Sequence, residues 1–328
     1  MKICLTTPNR FGQNGGLKLI NDFFKQLLLR GHDVYLMDEN AVKCVERILT
    51  PQVFSRRKFD LVICCSPHSV WTLHGRNFDR SIVWAQMAEH LWSKHRVFTE
   101  RCTRWYKHEN IIVNSNWLLE FMPQAKVCRT WLQDDFEWKP QRIKYDILLE
   151  SPFSNNPTKD VNHLAFKAAQ HLQQLYRRIR VAGYGKKHYA SSTWGTAINN
   201  YIVQPKHSTL ENLYSQSRLL LKATKFDGAA CALIEAARYG CVSVRAIDKG
   251  DDHFTNEWGY RCKYNEDEFF YMAEQAYESS LNDSLEFRFK TQQMKMFIDF
   301  WTFDKFIEEF SIHANISELY HTETKSLI

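Results

Sequence analysis

Two carboxylates in the second half of the chain are the residues best suited to chemistry. Asp227 and Glu235 flank a turn of small residues, Gly228, Ala229 and Ala230. Glu235 lies among apolar residues of a helical segment, where a carboxylate is costly to bury without partners. We therefore expect Glu235 to bind a ligand. Asp227 either binds the same ligand or caps the helix that follows it.

A glycine pair, Gly15 and Gly16, is the second candidate. The pair ends the polar turn PNRFGQNGG, after a β-like run at Lys2–Thr6 and before a helical spacing of apolar residues over Leu17–Arg30. Backbone N–H groups at a helix start favour anionic ligands. The pair therefore either approaches an anionic group or serves only as the turn that starts the helix.

The loop after a predicted strand, Ser81–Ala85, contains His90 within WAQMAEHLW. Ligands of open parallel sheets bind beyond the carboxyl ends of the strands, so this loop is a candidate part of the site. Glu89 and His68 are alternative residues in the same region. A lone histidine also commonly has a structural role.

The segment after His90 contains a stripe of basic residues. Arg101, Arg104 and His108 are spaced to share one helix face, with Lys107 beside them. Residues 1–140 contain 20 Lys and Arg and 14 Asp and Glu, whereas the remainder contains 23 of each. The excess positive charge of the first half indicates an anionic partner such as DNA phosphate or anionic lipid. A solvated helix face is the alternative.

An alternation of strands and helices must position these residues, and it is typical of parallel α/β sheets. Besides those already given, it predicts strands at Asp33–Met37, Phe59–Cys65, Asn110–Asn114, Tyr145–Glu150, Arg178–Ala182, Tyr201–Gln204, Arg218–Ala223 and Val242–Arg245. It predicts helices at Glu100–His108, Trp117–Met122, Val161–Tyr176, Leu210–Gln216 and Ala230–Tyr239. The chain of 328 residues is too long for one ordinary core, so we expect two Rossmann-like domains that face a cleft. The charged segment around Pro140 is the best candidate linker.

Composition excludes several classes of protein. An aromatic content of 14% excludes a disordered chain. No apolar run approaches the ~20 residues of a membrane span, and the first residues do not resemble a secretory signal. The nine cysteines include no CxxC pair, which indicates reduced thiols and no zinc site. We therefore expect a cytoplasmic protein without a bound metal.

The segment Leu219–Ala246, LLLKATKFDGAACALIEAARYGCVSVRA, resembles the donor-binding segment of GT-B glycosyltransferases, in particular the retaining family 4. The resemblance implies that Glu235 binds the ribose of a nucleotide sugar. It also implies that Asp227 and the small-residue turn hold the donor sugar.

Other segments resemble the same family in the expected order. The segment TPNRFGQNGGLKLI resembles the glycine loop of the family. The segment HENIIVNSNWLL resembles its strand-Ser-helix step, with the serine at Ser115. The segment TKDVNHLAFKAAQHL resembles the part of the family that carries the diphosphate-binding lysine, which is Lys159 here. DFWTFDKFIEEF resembles the closing helix. The resemblance thus implies an acceptor-side domain over 1–140, with 296–328 packing back on it, and a nucleotide-sugar domain over 141–295. It also implies that Gly15 and Gly16 approach the donor phosphate and the acceptor, and that His90 contacts the donor sugar.

The chain departs from the family pattern at the diphosphate site. Ser154 stands where the family usually has an arginine, and Ala223-Thr224 replaces a Pro-Ser pair. Lys159 is then the clear cation for the diphosphate, with Lys225 or Arg10 as substitutes.

The resemblance implies a retaining, metal-independent transfer of a hexose or pentose from a UDP- or GDP-sugar, with no cofactor. The acceptor is either a glycan or lipid-linked saccharide, or DNA with a hydroxymethylated base. For the DNA alternative, Arg101, Arg104 and Lys107 are the expected anion-binding residues. The alternatives are a non-catalytic nucleotide- or sugar-binding protein on a degenerate scaffold, a GT-B epimerase and a phosphorylase.

Overall fold

The computed structural model describes residues 1–7, 15–92, 95–131, 142–152, 159–185, 198–228, 231–250, 256–298 and 302–320. The chain forms two compact units, one made of residues 1–133 and 302–328 and the other of residues 134–301. The predicted boundary at residue 140 lies outside the described residues.

The sheet of the first unit is parallel. Among the described residues it has seven strands in the order β3-β2-β1-β4-β5-β6-β7. These strands are β1 (Lys2–Thr7), β2 (Asp33–Asp38), β3 (Ile48–Leu49), β4 (Phe59–Cys64), β5 (Phe78–Ala85), β6 (Ile111–Val113) and β7 (Lys126–Val127). The helices between them are α1 (Gly15–Leu29), α2 (Pro51–Arg56) and α3 (Arg96–Tyr106).

The second unit repeats this architecture. Its described strands form a parallel sheet in the order β10-β9-β8-β11-β12-β13. They are β8 (Tyr145–Glu150), β9 (Val181–Gly185), β10 (Asn200–Val203), β11 (Ser217–Asp227), β12 (Val242–Gly250) and β13 (Tyr260–Cys262). The helices are α4 (Leu164–Leu175), α5 (His207–Ser215), α6 (Cys231–Arg238), α7 (Glu266–Leu281) and α8 (Leu285–Ile298). The predicted α/β class with two parallel sheets is confirmed.

A last helix, α9 (Phe303–Ala314), completes the first unit. Its apolar face packs against an aromatic cluster formed by Phe23 of α1, Trp84 of β5 and Trp131. The ring of Phe306 lies 4.3 Å from that of Trp131 and 5.4 Å from that of Phe23. Burial of large aromatic side chains is a major source of stability, so α9 belongs to the core of a unit whose other elements lie at the start of the chain.

The prediction of an α-helix at Trp117–Met122 is wrong. Residues Asn116–Glu120 form a 3₁₀ turn instead. Pro123 follows directly after Met122, and a proline disfavours the α conformation of the residue before it. An α-helix therefore has too little length to develop at this position.

Candidate active site

Glu150 ends β8, Gly185 ends β9 and Asp227 ends β11. Because the strands are parallel, these residues lie at one edge of the second sheet, which is where ligands of open α/β sheets bind. Gly228 follows Asp227 directly and is buried. The edge therefore holds Asp227 and Gly228, two of the site residues predicted in this unit.

Glu235 lies on α6, flanked on both sides by buried apolar residues. The hydroxyl of Tyr214, on α5, donates a hydrogen bond to Glu235 Oε2 at 3.3 Å. The hydroxyl of Tyr184, on β9, lies 2.6 Å from that of Tyr214. Since the single proton of Tyr214 goes to the carboxylate, Tyr184 must be the donor to Tyr214. A chain of two buried tyrosines thus orients Glu235.

Asp227 is held by three cations. Its Oδ1 lies 3.4 Å from Lys159 Nζ, and its Oδ2 lies 3.2 Å from Arg245 Nη2 and 3.6 Å from Lys222 Nζ. Lys222 also donates a hydrogen bond to Glu150. This buried charge cluster (Lys159, Lys222, Asp227, Arg245 and Glu150) satisfies the requirement that buried charges be paired.

The protonation states follow from this arrangement. Burial alone would raise the pKa of Asp227, but Lys159, Lys222 and Arg245 outweigh it, and the pKa lies well below its usual range. Burial would lower the pKa of Lys222, but the carboxylates of Glu150 and Asp227 outweigh it and raise that pKa. Asp227 is therefore a carboxylate and Lys222 an ammonium ion at neutral pH.

The neighbour of Lys159 anchors its backbone. Asp160 accepts hydrogen bonds from the backbone N–H groups of Leu164 and Ala165 at 2.8 and 2.9 Å, at the start of α4. Tyr264 also donates a hydrogen bond to Asp160, at 3.0 Å. Burial raises the pKa of Asp160 despite these donors. Lys159 thus extends from a fixed point toward Asp227.

Five residues of this site were not predicted from the sequence: Lys222, Arg245, Glu150, Tyr184 and Tyr214. A signal was present for two of them. Lys222 and Arg245 interrupt the apolar runs of β11 and β12, and a charge within a buried strand requires a counter-charge. Lys225 and Arg10 were predicted as substitutes for the missing arginine, and the structure describes only Lys225. Lys225 lies over the ring of Tyr264, 5.8 Å from its centroid, and Arg10 and Ser154 lie outside the described residues.

Gly15 and Gly16 form the first turn of α1, directly after a segment outside the described residues. Ala229 and Ala230 also lie outside the described residues. The roles predicted for these residues stay predictions.

His90 lies in a short 3₁₀ helix, Glu89–Trp92, beyond the carboxyl end of β5. Its Nδ1 lies 2.9 Å from the hydroxyl of Tyr106, and its ring lies 4.6 Å from that of Phe121. Burial lowers its pKa, so the imidazole is neutral at neutral pH. The alternative residue His68 packs against Phe98, with ring centroids 5.0 Å apart.

The predicted basic stripe lies on α3 and the residues that follow it, and it is exposed at Arg104 and Lys107. These two residues line a cavity of about 490 Å³ together with Arg80, His108 and the acidic Glu109. The cavity lies where β5 and β6 begin, at the amino edge of the first sheet. It is therefore at the opposite edge from the one at which ligands of α/β sheets bind. Arg101 lies one turn earlier on α3.

Within the described part of the chain, no group of three or more His, Cys, Asp or Glu side chains is arranged to hold a metal ion. No helix there combines the length and the apolar character that a membrane span requires.

The sequence matches no protein-family model and no curated protein. Solved structures do match the fold. WaaG, a glycosyltransferase involved in lipopolysaccharide biosynthesis, matches with a TM-score of 0.72 and 11% identity over 96% of this chain and 99% of its own. Anabaena HepE in complex with UDP-glucose matches with a TM-score of 0.70 and 12% identity over 97% and 98% of the two chains.

S. aureus TarM matches over 78% of this chain with a TM-score of 0.60 and 15% identity. This chain spans only 54% of the length of TarM. At such low identities the likeness shows the fold, which is the GT-B fold predicted from the sequence.

Proposed function

We propose that this chain is a glycosyltransferase that moves a sugar from a nucleotide-sugar donor to a hydroxyl acceptor. The observation that carries the proposal is that Asp227, with Lys159 Nζ 3.4 Å from its Oδ1, ends a strand at the carboxyl edge of the second sheet of a GT-B fold, and that Glu235 lies on the next helix, hydrogen-bonded to Tyr214. Glu235, oriented by Tyr214, binds the ribose hydroxyls. Lys159 binds the diphosphate, and the turn that begins at Gly228 binds the donor sugar.

The donor is a UDP- or GDP-sugar. WaaG is a glycosyltransferase and HepE was crystallised with UDP-glucose, which supports this class of substrate. In the first unit, His90 and the pair Gly15 and Gly16 are the proposed contacts to the ligand. The transfer needs no cofactor and no metal, because Lys159 and backbone N–H groups stabilise the charge that develops on the leaving diphosphate. The configuration of the anomeric carbon is retained, and NMR of the product tests this directly.

Thermal unfolding with a panel of nucleoside diphosphates tests the donor site. A ligand at 100 times its Kd stabilises the folded chain by about 2.7 kcal/mol, which raises Tm by about 5–10 °C. We expect one nucleotide to produce this shift and the Glu235→Ala variant to lose it. Glu274→Ala is the control, because Glu274 is a half-buried carboxylate on α7 that pairs with His171. No shift with any nucleotide contradicts the proposal.

A shift in Tm without turnover favours the alternative of a non-catalytic binding protein. Conversion of the nucleotide sugar without an acceptor favours an epimerase, and a requirement for phosphate favours a phosphorylase. Turnover assays with each co-substrate distinguish these outcomes.

A second candidate concerns the acceptor. The excess positive charge of residues 1–140 favours an anionic polymer such as DNA with hydroxymethylated bases, whereas the cavity lined by Arg80, Arg104 and Lys107 lies at the amino edge of the first sheet and also contains Asp79 and Glu109. Affinity for such DNA should then fall steeply with salt concentration. Binding that is absent or insensitive to salt favours a glycan or lipid-linked saccharide as acceptor.

A further inference from the structure

The buried charge cluster contains a balanced quartet. Lys222 and Arg245 are cations with 5% and 0% of their side chains exposed, and Glu150 and Asp227 are the carboxylates beside them. Lys222 and Arg245 are direct partners in the register of β11 and β12. Like charges at such positions repel each other, so the two carboxylates are what make this pairing stable.

Lys159 is the fifth member and the unbalanced charge. It is the most exposed residue of the cluster, with 35% of its side chain accessible. It contacts Oδ1 of Asp227, whereas the buried cations Lys222 and Arg245 contact Oδ2. The buried cations thus fix the carboxylate in the orientation that presents its other oxygen to Lys159.

We propose that Lys222 and Arg245 are positioning residues for diphosphate binding, which act through Asp227 to hold the ammonium group of Lys159. This inference rests on the proposed function, and it assigns Asp227 to orienting a cation rather than to holding the donor sugar. Asp227 remains ionised throughout, so its hold on Lys159 does not vary near neutral pH.

A double-mutant cycle tests the inference. Calorimetric titration would measure the Kd of the nucleoside diphosphate that shifts Tm, and of the same nucleoside without phosphates. We expect Lys159→Ala to weaken diphosphate binding by about 10- to 100-fold and to leave nucleoside binding unchanged. Lys222→Met should weaken diphosphate binding selectively as well. In the Lys159→Ala background Lys222→Met should have no further effect, since contacting residues of one network are not additive.

Two further variants test whether a loss of affinity comes from unfolding or from a general change in charge. Glu150→Gln/Lys222→Met removes one charge of each sign and keeps the buried cluster balanced, and we expect it to lose diphosphate affinity as Lys222→Met does. Lys167→Met is the control, because Lys167 forms a half-exposed ion pair with Glu266 on the flank of the same unit. It should bind diphosphate like the wild type.

Three results overturn the inference. If Lys222→Met weakens binding equally in the presence and absence of Lys159, Lys222 acts on the ligand directly. If the nucleoside and its diphosphate are weakened alike, the effect is a general loss of structure. If the wild type binds the nucleoside diphosphate and Lys222→Met leaves that affinity unchanged, this inference is wrong but the proposed function stands. A wild type that binds no nucleoside diphosphate instead overturns the proposed function, and this inference with it.

Discussion

Substitution of Asp227 by asparagine should destabilise the second unit far more than loss of an ordinary ion pair. The side chain of Asp227 is 11% exposed and contacts three cations. In Asp227→Asn, Glu150 alone would balance the adjacent Lys222 and Arg245. Breaking a buried ion pair by removing one partner costs about 3–5 kcal/mol. For a unit of this size that lowers Tm by about 6–20 °C.

Asp146→Asn is the matched control. Asp146 is similarly buried at 14% exposure, but its ion pair is with a single half-exposed arginine, Arg180, at 3.8 Å. Such a pair contributes about 0–1 kcal/mol. Urea unfolding followed by circular dichroism, with calorimetry for Tm, measures both variants. Equal losses of under about 1 kcal/mol in the two variants would refute the reasoning, because the charges around Asp227 would then be screened by water.

The pH dependence gives an independent check. The pKa of Asp227 is lower in the folded than in the unfolded chain, so its ionisation contributes stability above the unfolded pKa of about 3.9. That contribution is lost progressively as the pH falls below this value. The difference in stability between wild type and Asp227→Asn should therefore be constant near neutral pH and should shrink below about pH 4.

Three further predictions have defined outcomes. Phe306→Ala removes a ring that packs on Trp131 and should lower the free energy of unfolding by about 3–5 kcal/mol. The control Phe289→Ala, at a residue that is 51% exposed, should change the free energy of unfolding by less than about 0.5 kcal/mol. Urea unfolding measures both variants. Tyr214→Phe should weaken binding of the free nucleoside by about 5- to 10-fold in titration calorimetry, because Glu235, the carboxylate that we propose binds the ribose, loses one hydrogen bond. If the acceptor is DNA, Arg104→Glu should weaken binding and lower the slope of log affinity against log salt by at least about 1; an unchanged slope would separate this residue from the acceptor.

Local patterns predicted ten of the described strands but not the edge strands β3, β7 and β13, nor the ends of β11 and β12. The apolar runs predicted β11 to end at Ala223 and β12 at Arg245. In the structure the two strands remain paired to Asp227 and Gly250. The added residues include Lys225, Asp227, Asp248, Lys249 and Gly250, which are types that strands disfavour. Their pairing depends on the neighbouring strand, which lies far away in the sequence.

In the candidate site, too, only the features that depend on nearby residues could be predicted from the sequence. Asp227 and Glu235 were recognisable because they lie close in sequence around a turn. Of the three cations that hold Asp227, Lys222 lies on the same strand, whereas Lys159 and Arg245 come from two other segments. Only the register of β11 and β12 brings Lys222 and Arg245 together. Spacing along the chain carries no information about such a register. The charges within apolar strands indicated that counter-charges must exist, but not which residues supply them.

The position of α9 determines the order in which the two cores can be completed during synthesis. The second unit is continuous in sequence, whereas the first unit needs residues 302–320, which leave the ribosome after all of the second. The second unit can therefore close its core first, although the first unit is begun earlier. Until α9 emerges, the rings of Phe23, Trp84 and Trp131 lack the cover that Phe306 provides. Exposed apolar surface of this kind promotes aggregation, so the nascent first unit is the part of the chain most in need of a chaperone.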